Sequence, residues 1–385
     1  MNRIVISLPS DSSFNHTLAN DISLGFEELG MEVRTMLHQP RGDDLRRLCD
    51  AYQPDAFFEM NRCRDELPEL PKEIPHICWL VDSKGYRVSH FTGSEILYFF
   101  CWFFMQDHDQ KGSLLLDWMP PGYNPRHYFE EDGEYLTDIS FAGHMSPPWT
   151  RRELDRVIYS DSEWGTLKFE EVATWVEQDL HGRDTTGWGL NAYLDHSLAY
   201  IAARIGKVVE PDLTIQYDLS QRLYLRMARR HKLLNGVMAM NPMPTLTIHG
   251  THGWGKWPEY APYYRGYLDE PTALRRLYRT SRINLHEGPG VHFRSLDCMA
   301  SGGVLFFMET PEDVSLGRLE SIFQPDVHYI HFTPENFAEK ATKLLENPVN
   351  LRQIAANAAQ EVRQRHTWRH RAEKIREDLL HILEQ

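Results

Sequence analysis

Cysteine is scarce and scattered. The five residues Cys49, Cys63, Cys78, Cys101 and Cys298 form no C-x-x-C pair, which excludes a zinc knuckle and a disulfide framework and leaves buried thiols as the default. Long apolar runs are also missing. The most apolar stretch, 96–105, gives way to Gln106-Asp107-His108-Asp109 and is well short of a bilayer span. The opening run Met1-Asn2-Arg3-Ile4-Val5-Ile6-Ser7-Leu8 is too short for the apolar region of a signal peptide. No transmembrane segment is expected, and a cytoplasmic enzyme fits best. Positive charge is in deficit: the formal net charge of -14 sets nucleic acid and anionic membrane surfaces aside as expected partners. The 19 histidines include no H-E-x-x-H spacing, so no metal is expected, and His286 with His292 reads as a loop pair. No internal repeat or low-complexity tract is present.

What remains is an ordinary globular composition, 42% hydrophobic and 25% charged over 385 residues, long enough that two domains are the default. An aromatic share of 12% suits clefts that stack rings or sugars, although core packing is the commoner use. The first part alternates strand and helix signals, with strands at 4–8, 31–37, 56–60, 76–81, 96–104 and 114–118 and helices at 17–30 and 43–52, the pattern of an α/β sheet. Ligands collect at the carboxyl ends of such strands, which directs attention to 11–16, Asn61, Asp82 and Asp107. His16 lies where the first strand hands over to the first helix, with Asn15 as the competing helix-cap reading. Asp82 competes with a turn-capping role through Ser83 and Lys84. Trp102, Phe103 and Phe104 read as core strand. A Pro-Gly-rich break at 120–125 and the acidic loop 130–133 place a hinge between the halves. Beyond it the segment 151–232 reads as a helical insertion, and sheet signals return at 245–249, 263–267, 283–285 and 304–307.

The richest segment is 285–307. Gly288 and Gly290 precede a short helical pattern, so backbone N–H groups can approach an anion at a helix N-terminus. Arg294 and Asp297, three apart, share a helix face, a pairing suited to phosphate oxygens beside sugar hydroxyls. The competing reading is an exposed ion pair contributing about 0.3–0.5 kcal/mol. Gly302-Gly303 closes the helix ahead of a buried strand. The combination suggests a nucleotide sugar.

The runs Leu246-Thr247-Ile248-His249-Gly250, Gly253-Trp254, Tyr264-Arg265-Gly266-Tyr267, Arg294 with Asp297, and Ala300-Ser301-Gly302-Gly303 resemble the C-terminal half of GT-B glycosyltransferases, specifically the CgeB-like group. His366-Thr367-Trp368-Arg369-His370-Arg371 is similar to the signature that opens the last helix of that group, and Phe141-Ala142-Gly143 resembles the start of its second domain. The resemblance implies an α/β, GT-B fold of two Rossmann-like domains facing a cleft. An acceptor-side domain would span 1–136, a nucleotide-sugar domain 137–366 with the insertion at about 151–232, and a terminal helix at 367–385 would pack back toward the first domain. It implies a donor site of Gly143, Trp254, Tyr267, Gly290, Arg294, Asp297, Gly302 and Gly303, with Asp297 on the ribose, Gly266-Tyr267-Leu268 along the base and Trp254 stacked nearby. Asp82 and His16 are the candidates for the base that activates the acceptor hydroxyl. Neither a metal nor a cofactor beyond the donor sugar nucleotide is implied, and the acceptor is a glycan, protein or small molecule. Many retaining members carry a glutamate eight positions before the residue aligned with Asp297; here that position is Pro289, with Glu287 two residues earlier, so the stereochemical course stays open. The contrasting reading is a non-catalytic nucleotide-sugar or glycan-binding module of a polysaccharide or coat assembly.

Overall fold

A computed structural model of the chain describes residues 2–82, 88–106, 108, 112–163, 165–183, 185, 188, 190–288, 290–308 and 319–384. The first part forms a six-stranded parallel sheet from β1 (Arg3–Ser7), β2 (Glu32–Met36), β3 (Ala56–Met60), β4 (His76–Leu80), β5 (Ile96–Phe99) and β6 (Leu115–Trp118), in the order β2-β1-β3-β4-β5-β6. β3, β4 and β5 are buried along their whole lengths, as a parallel sheet covered on both faces requires. The chain fills the β2 side of β1 first and then crosses to β3. That reversal opens a crevice at the carboxyl ends, where open parallel sheets bind ligands. The first helix, Ser13–Glu27, starts there.

The second part repeats the plan. β7 (Thr137–Ala142), β10 (Leu246–His249), β11 (Ser281–Glu287), β12 (Leu305–Met308) and β13 (Ile330–Phe332) form a parallel sheet ordered β10-β7-β11-β12-β13. Its reversal lies between β7 and β11. Between β7 and β10 the chain makes an excursion with its own core, including Phe169, Val176, Tyr193, Ile201, Leu219 and Tyr224. Its helix Phe169–His181 follows from apolar residues at 169, 172, 173, 176 and 180 on one face and from Glu170 and Glu171 in the first turn, where carboxylates favour the helix dipole.

The final helix, Trp368–Leu383, returns to the first sheet. Thr367 caps it, and Trp368, Ala372, Ile375 and Leu379 join the core built on Ile4, Ile6, Trp79 and Tyr98. Tyr98 donates to Asp378 at 2.5 Å, and Lys374 reaches Asp117 at 2.5 Å. Both passages between the halves run side by side: Tyr123 N–H donates to the His366 carbonyl and Trp368 N–H to the Tyr123 carbonyl, at 3.0 and 3.2 Å. Among the described residues no helix is long and apolar enough to cross a membrane.

Several local expectations are corrected. The insertion is not purely helical, because β8 (Val157–Asp161) and β9 (Gly165–Lys168) form an antiparallel hairpin. Its β-branched and aromatic run Val157-Ile158-Tyr159 is the signal that helical patterning obscures. The apolar run expected as one strand over 96–104 splits into β5 and the short helix Trp102–Gln106, since a continuous apolar run does not distinguish strand from buried helix. The expected strand at 263–267 is a 3-10 turn, Ala261–Tyr263, followed by a single bridge between Tyr264 and Ile248; Pro262 and the positive φ of Gly266 (+99°) prevent a regular ladder. The first helix is capped by Ser12, whose hydroxyl accepts from Asn15 N–H, so Asn15 is not the cap. His286 sits buried on β11 and not in a loop.

Candidate functional site

The crevice of the second sheet lies between the end of β7, at Ala142 and Gly143, and the end of β11, at Glu287 and Gly288. The helix Phe293–Ala300 begins above it. His292 caps that helix with an imidazole acting as acceptor, its Nδ1 taking the Arg294 backbone N–H at 3.2 Å, while Ser295 Oγ accepts from His292 N–H at 2.9 Å. Burial, reinforced by the nearby Arg294 charge, pushes the His292 pKa well below its ordinary value. The ring is therefore neutral and keeps the lone pair that the cap requires.

From this first turn Arg294 reaches across the crevice and donates through Nη1 to the Ala142 carbonyl at 2.6 Å. Gly143 makes the approach possible: a Cβ there would stand 2.8 Å from Arg294 Nη1 and 2.8 Å from the Phe141 ring. The Gly143 backbone is itself clamped. Trp254 Nε1 donates to its carbonyl at 2.8 Å, and Gly250, at φ +144°, lies so close that a Cβ would come within 1.9 Å of that oxygen. Thr251 bonds both the N–H and the carbonyl of Met145, at 3.1 and 3.0 Å. The loop after β7 is thus rigid and presents backbone to the crevice.

Charge in the crevice is dominated by arginines. Glu287, 1% exposed, receives Arg230 Nε at 2.7 Å and has Arg229 Nη1 at 3.4 Å. Burial alone would raise the Glu287 pKa, but Arg230, Arg229 and Arg294 outweigh it and hold the carboxyl well below its usual range. Arg230 also donates to the His144 carbonyl. Among the described residues Arg294 makes no salt bridge and feels Glu287 only through space; burial and then the like charge of Arg230 lower its pKa, against that opposing charge. Beneath its guanidinium a small pocket is lined by Ser140, Tyr278, Asn284, His286 and Cys298, where Tyr278 Oη and His286 Nε2 have no hydrogen-bond partner. Arg229, Arg230 and Glu287 complete the crevice, yet no sequence motif marks the two arginines. They lie more than fifty residues from Glu287, and only the folded insertion brings them together.

The residues singled out from sequence do not all converge. Gly143 and Arg294 meet at the crevice, and Gly290, with a φ of +49°, lies between β11 and the helix Phe293–Ala300. Tyr267 is 62% exposed beside the end of β10, its neighbour Gly266 accepting from Gly250 N–H at 3.2 Å. Trp254 is fully buried against Phe141 and Tyr260; it shapes the Gly143 loop and offers no face for stacking, a correction that follows from its indole N–H seeking a carbonyl inside the core. Asp297 follows Arg294 by three residues in the same helix. It is half-buried beside Tyr128 and in the field of Asp21, and burial followed by the Asp21 charge raises its pKa well above the usual range. Gly302 and Gly303 lie at the far end of the helix, where a Cβ on Gly303 would be 2.9 Å from Asn284 Nδ2, Cys298 Sγ and the Tyr278 carbonyl. Their geometry is that of a close-packed turn and not of a ligand loop.

The first sheet's crevice faces this helix. Phe293 inserts between Phe14, Trp79 and Phe100, with ring centroids 5.5, 6.0 and 5.5 Å away. His16, two residues from Phe14, is exposed and its Nε2 contacts the Asp11 carboxylate. Asp82 ends the extended run after β4, its N–H and that of Val81 donating to Asn61 Oδ1 at 2.9 and 2.7 Å; Asn61 adopts a left-handed φ of +61° to do so. Asp107, Pro289, Ser83 and Lys84 lie outside the described residues.

With this geometry in place, residues 226–377 match the model of a family described as glycosyl transferase-like. No curated protein matches the chain. Among solved structures, HepE from Anabaena, crystallised with UDP-glucose, superposes with a TM-score of 0.52 at 10% identity over 98% of this chain and 99% of that one. AviGT4, a glycosyltransferase involved in avilamycin A biosynthesis, gives 0.53 at 10% identity over 100% and 98%. A glycosyltransferase from Rickettsia africae gives 0.51 at 10% identity over 100% and 99%. At such identities the likeness is one of fold, and the fold is GT-B.

Proposed function

We propose that this chain is a nucleotide-sugar-dependent glycosyltransferase of the CgeB-like group, moving a sugar from a nucleoside-diphosphate donor held on the second domain to an acceptor hydroxyl held on the first, without a metal. The observation that carries this is Arg294: a guanidinium at a helix N-terminus, over the reversal point of a parallel sheet, hydrogen-bonded to a neutral carbonyl and supplied with no carboxylate of its own. Such a group matches a diphosphate in charge and shape. The UDP and UDP-glucose bound by HepE support the donor class.

As the sugar–phosphate bond breaks, charge grows on the leaving phosphate, where the Arg294 guanidinium stabilises it. That arrangement performs the neutralisation a metal performs elsewhere. Exposed Tyr267 stacks on the base, and Asp297 is the ribose-side carboxyl. On the acceptor side we favour His16 as base. Asp11 engages Nε2, which leaves Nδ1 to take the hydroxyl proton. A displacement assisted in this way inverts the anomeric carbon, and the product anomer read by NMR distinguishes it from a retaining course that relies on the donor phosphate. Asp82 is the second candidate. The acceptor, whether glycan, protein or small molecule, meets the first sheet's crevice.

The test is donor hydrolysis in excess chelator. Slow release of free sugar and nucleoside diphosphate by the wild type, and its loss in Arg294→Ala, are expected. Wild-type turnover by Arg294→Ala contradicts the assignment.

A further inference from the structure

Arg230 opens the helix Arg230–Met238, which leads out of the insertion. Its guanidinium is 11% exposed and spans the mouth of the crevice, with one nitrogen on the buried Glu287 carboxylate at 2.7 Å and another on the His144 carbonyl. It therefore touches the ends of both strands that flank the reversal point, as Arg294 does from the opposite side through Ala142. Arg294 and Arg230 are close enough to repel. Three guanidinia, Arg229, Arg230 and Arg294, against the one carboxylate of Glu287 leave an excess of positive charge in a chain whose net charge is -14.

A buried carboxylate at the mouth of an anion site needs a reason, since it opposes the ligand. Without it, a second guanidinium beside Arg294 would be a buried cation with no counter-charge, which is strongly unfavourable. With it, the guanidinium is held in place before any ligand arrives. A diphosphate carries more charge than one guanidinium neutralises, and planar bidentate donors suit its oxygens.

We propose that Arg230 is a second ligand of the donor diphosphate, contributed by the insertion, and that Glu287 is a resident carboxylate that holds it at the Gly143-His144 end of the crevice until the diphosphate shares it. The inference rests on the donor reading above. It makes the insertion part of the donor site, so that whatever the insertion contacts is coupled to donor affinity.

The experiment is calorimetric titration of the full chain with UDP, GDP, ADP and CDP, followed by the tightest of these and its parent nucleoside against Arg230→Ala, Arg230→Lys, Glu287→Gln and Arg294→Ala. Arg230→Ala is expected to weaken the diphosphate by about tenfold or more while leaving the nucleoside within twofold, and Arg230→Lys to fall between. Glu287→Gln keeps the shape and a hydrogen-bond acceptor but removes the opposing charge, so it is expected to tighten the diphosphate severalfold and to steepen its salt dependence. An ion pair that is merely structural gives the opposite sign or no change. Unchanged diphosphate affinity in a folded Arg230→Ala, or unchanged or weaker affinity in Glu287→Gln, overturns the proposal. If Arg230→Ala does not fold, the sign of the Glu287→Gln effect decides alone. Failure of the wild type to bind any of the four diphosphates instead removes the donor reading itself.

Discussion

Arg294 combines two properties: it is partly exposed at the crevice, and its guanidinium is spent on a backbone carbonyl. On the proposed donor reading its removal takes away the principal charge that meets the leaving diphosphate, so Arg294→Ala is expected to lower the transfer or hydrolysis rate by about 10²–10³-fold, measured at saturating donor. On the facing domain, His16→Ala is expected to cost about 10²–10⁴-fold in kcat with little change in donor affinity. Asp11→Asn, which alters the group that orients His16, should reproduce part of that loss; a kcat unaffected by both changes would shift the base role to Asp82. Residue types at loops were legible in the sequence because glycine before a helical run and an arginine in its first turn carry their own physical meaning. Trp254 was not. Whether an indole stacks on a ligand or donates to a buried carbonyl depends on the loop 143–146, more than a hundred residues away. Asp297 shows the same limit: its spacing from Arg294 is right for a shared face, but its ionisation is governed first by burial and then by Asp21 and Tyr128, which no local pattern connects to it.

At the scale of elements, the close packing around the helix Phe293–Ala300 sets how little its ends can move. Gly303→Ala places a Cβ 2.9 Å from three atoms, two of them on the flanking β11 region and helix, and is expected to destabilise by about 1–3 kcal/mol through overpacking, read by urea unfolding. Gly122→Ala meets the Trp368 backbone N at 2.6 Å and the Thr367 carbonyl carbon at 2.8 Å. It should loosen the paired passages between the domains by a similar amount. The buried strands β3, β4 and β11 could be placed from their apolar runs because a parallel sheet buries both faces. The β8–β9 hairpin could not, since its short strands sit inside a long segment of helical periodicity. The helix Trp102–Gln106 was hidden in the same way, by an apolar run that satisfies either structure.

For the whole molecule, burial of ionisable groups ties stability to pH. His231, His286 and His366 are kept neutral by burial, aided respectively by Arg226, Arg294 and Arg371, with pKa values pushed down to about 3. In the unfolded chain each takes up a proton near pH 6.5. Between those values the unfolded state binds more protons, so the stability from each histidine is present above about pH 6.5 and is lost as pH falls below it, at up to roughly 1.4 kcal/mol per pH unit per group. Melting temperature is expected to fall from pH 7 to pH 5, and His366→Gln should flatten that slope if it folds. Asp297 has the opposite sign: its raised pKa favours the folded state below its ordinary value of about 3.9, and that contribution is lost progressively as pH rises from there through the raised folded value, so Asp297→Asn should stabilise near neutrality. The two-domain plan was readable from alternating strands and helices with a Pro-Gly break between them. That the two domains face a cleft came only from the family resemblance, because the contact itself depends on Phe293 entering an aromatic cluster of the other domain.

The central claim is that a nucleoside diphosphate binds at Arg294 without metal. Thermal unfolding in excess chelator with a panel of nucleoside diphosphates and nucleotide sugars tests it directly, since a ligand at 100 times its Kd stabilises by about 2.7 kcal/mol. The expected result is that at least one base raises the melting temperature of the wild type and leaves Arg294→Ala unmoved; stabilisation of neither protein, or of both equally, would contradict the claim.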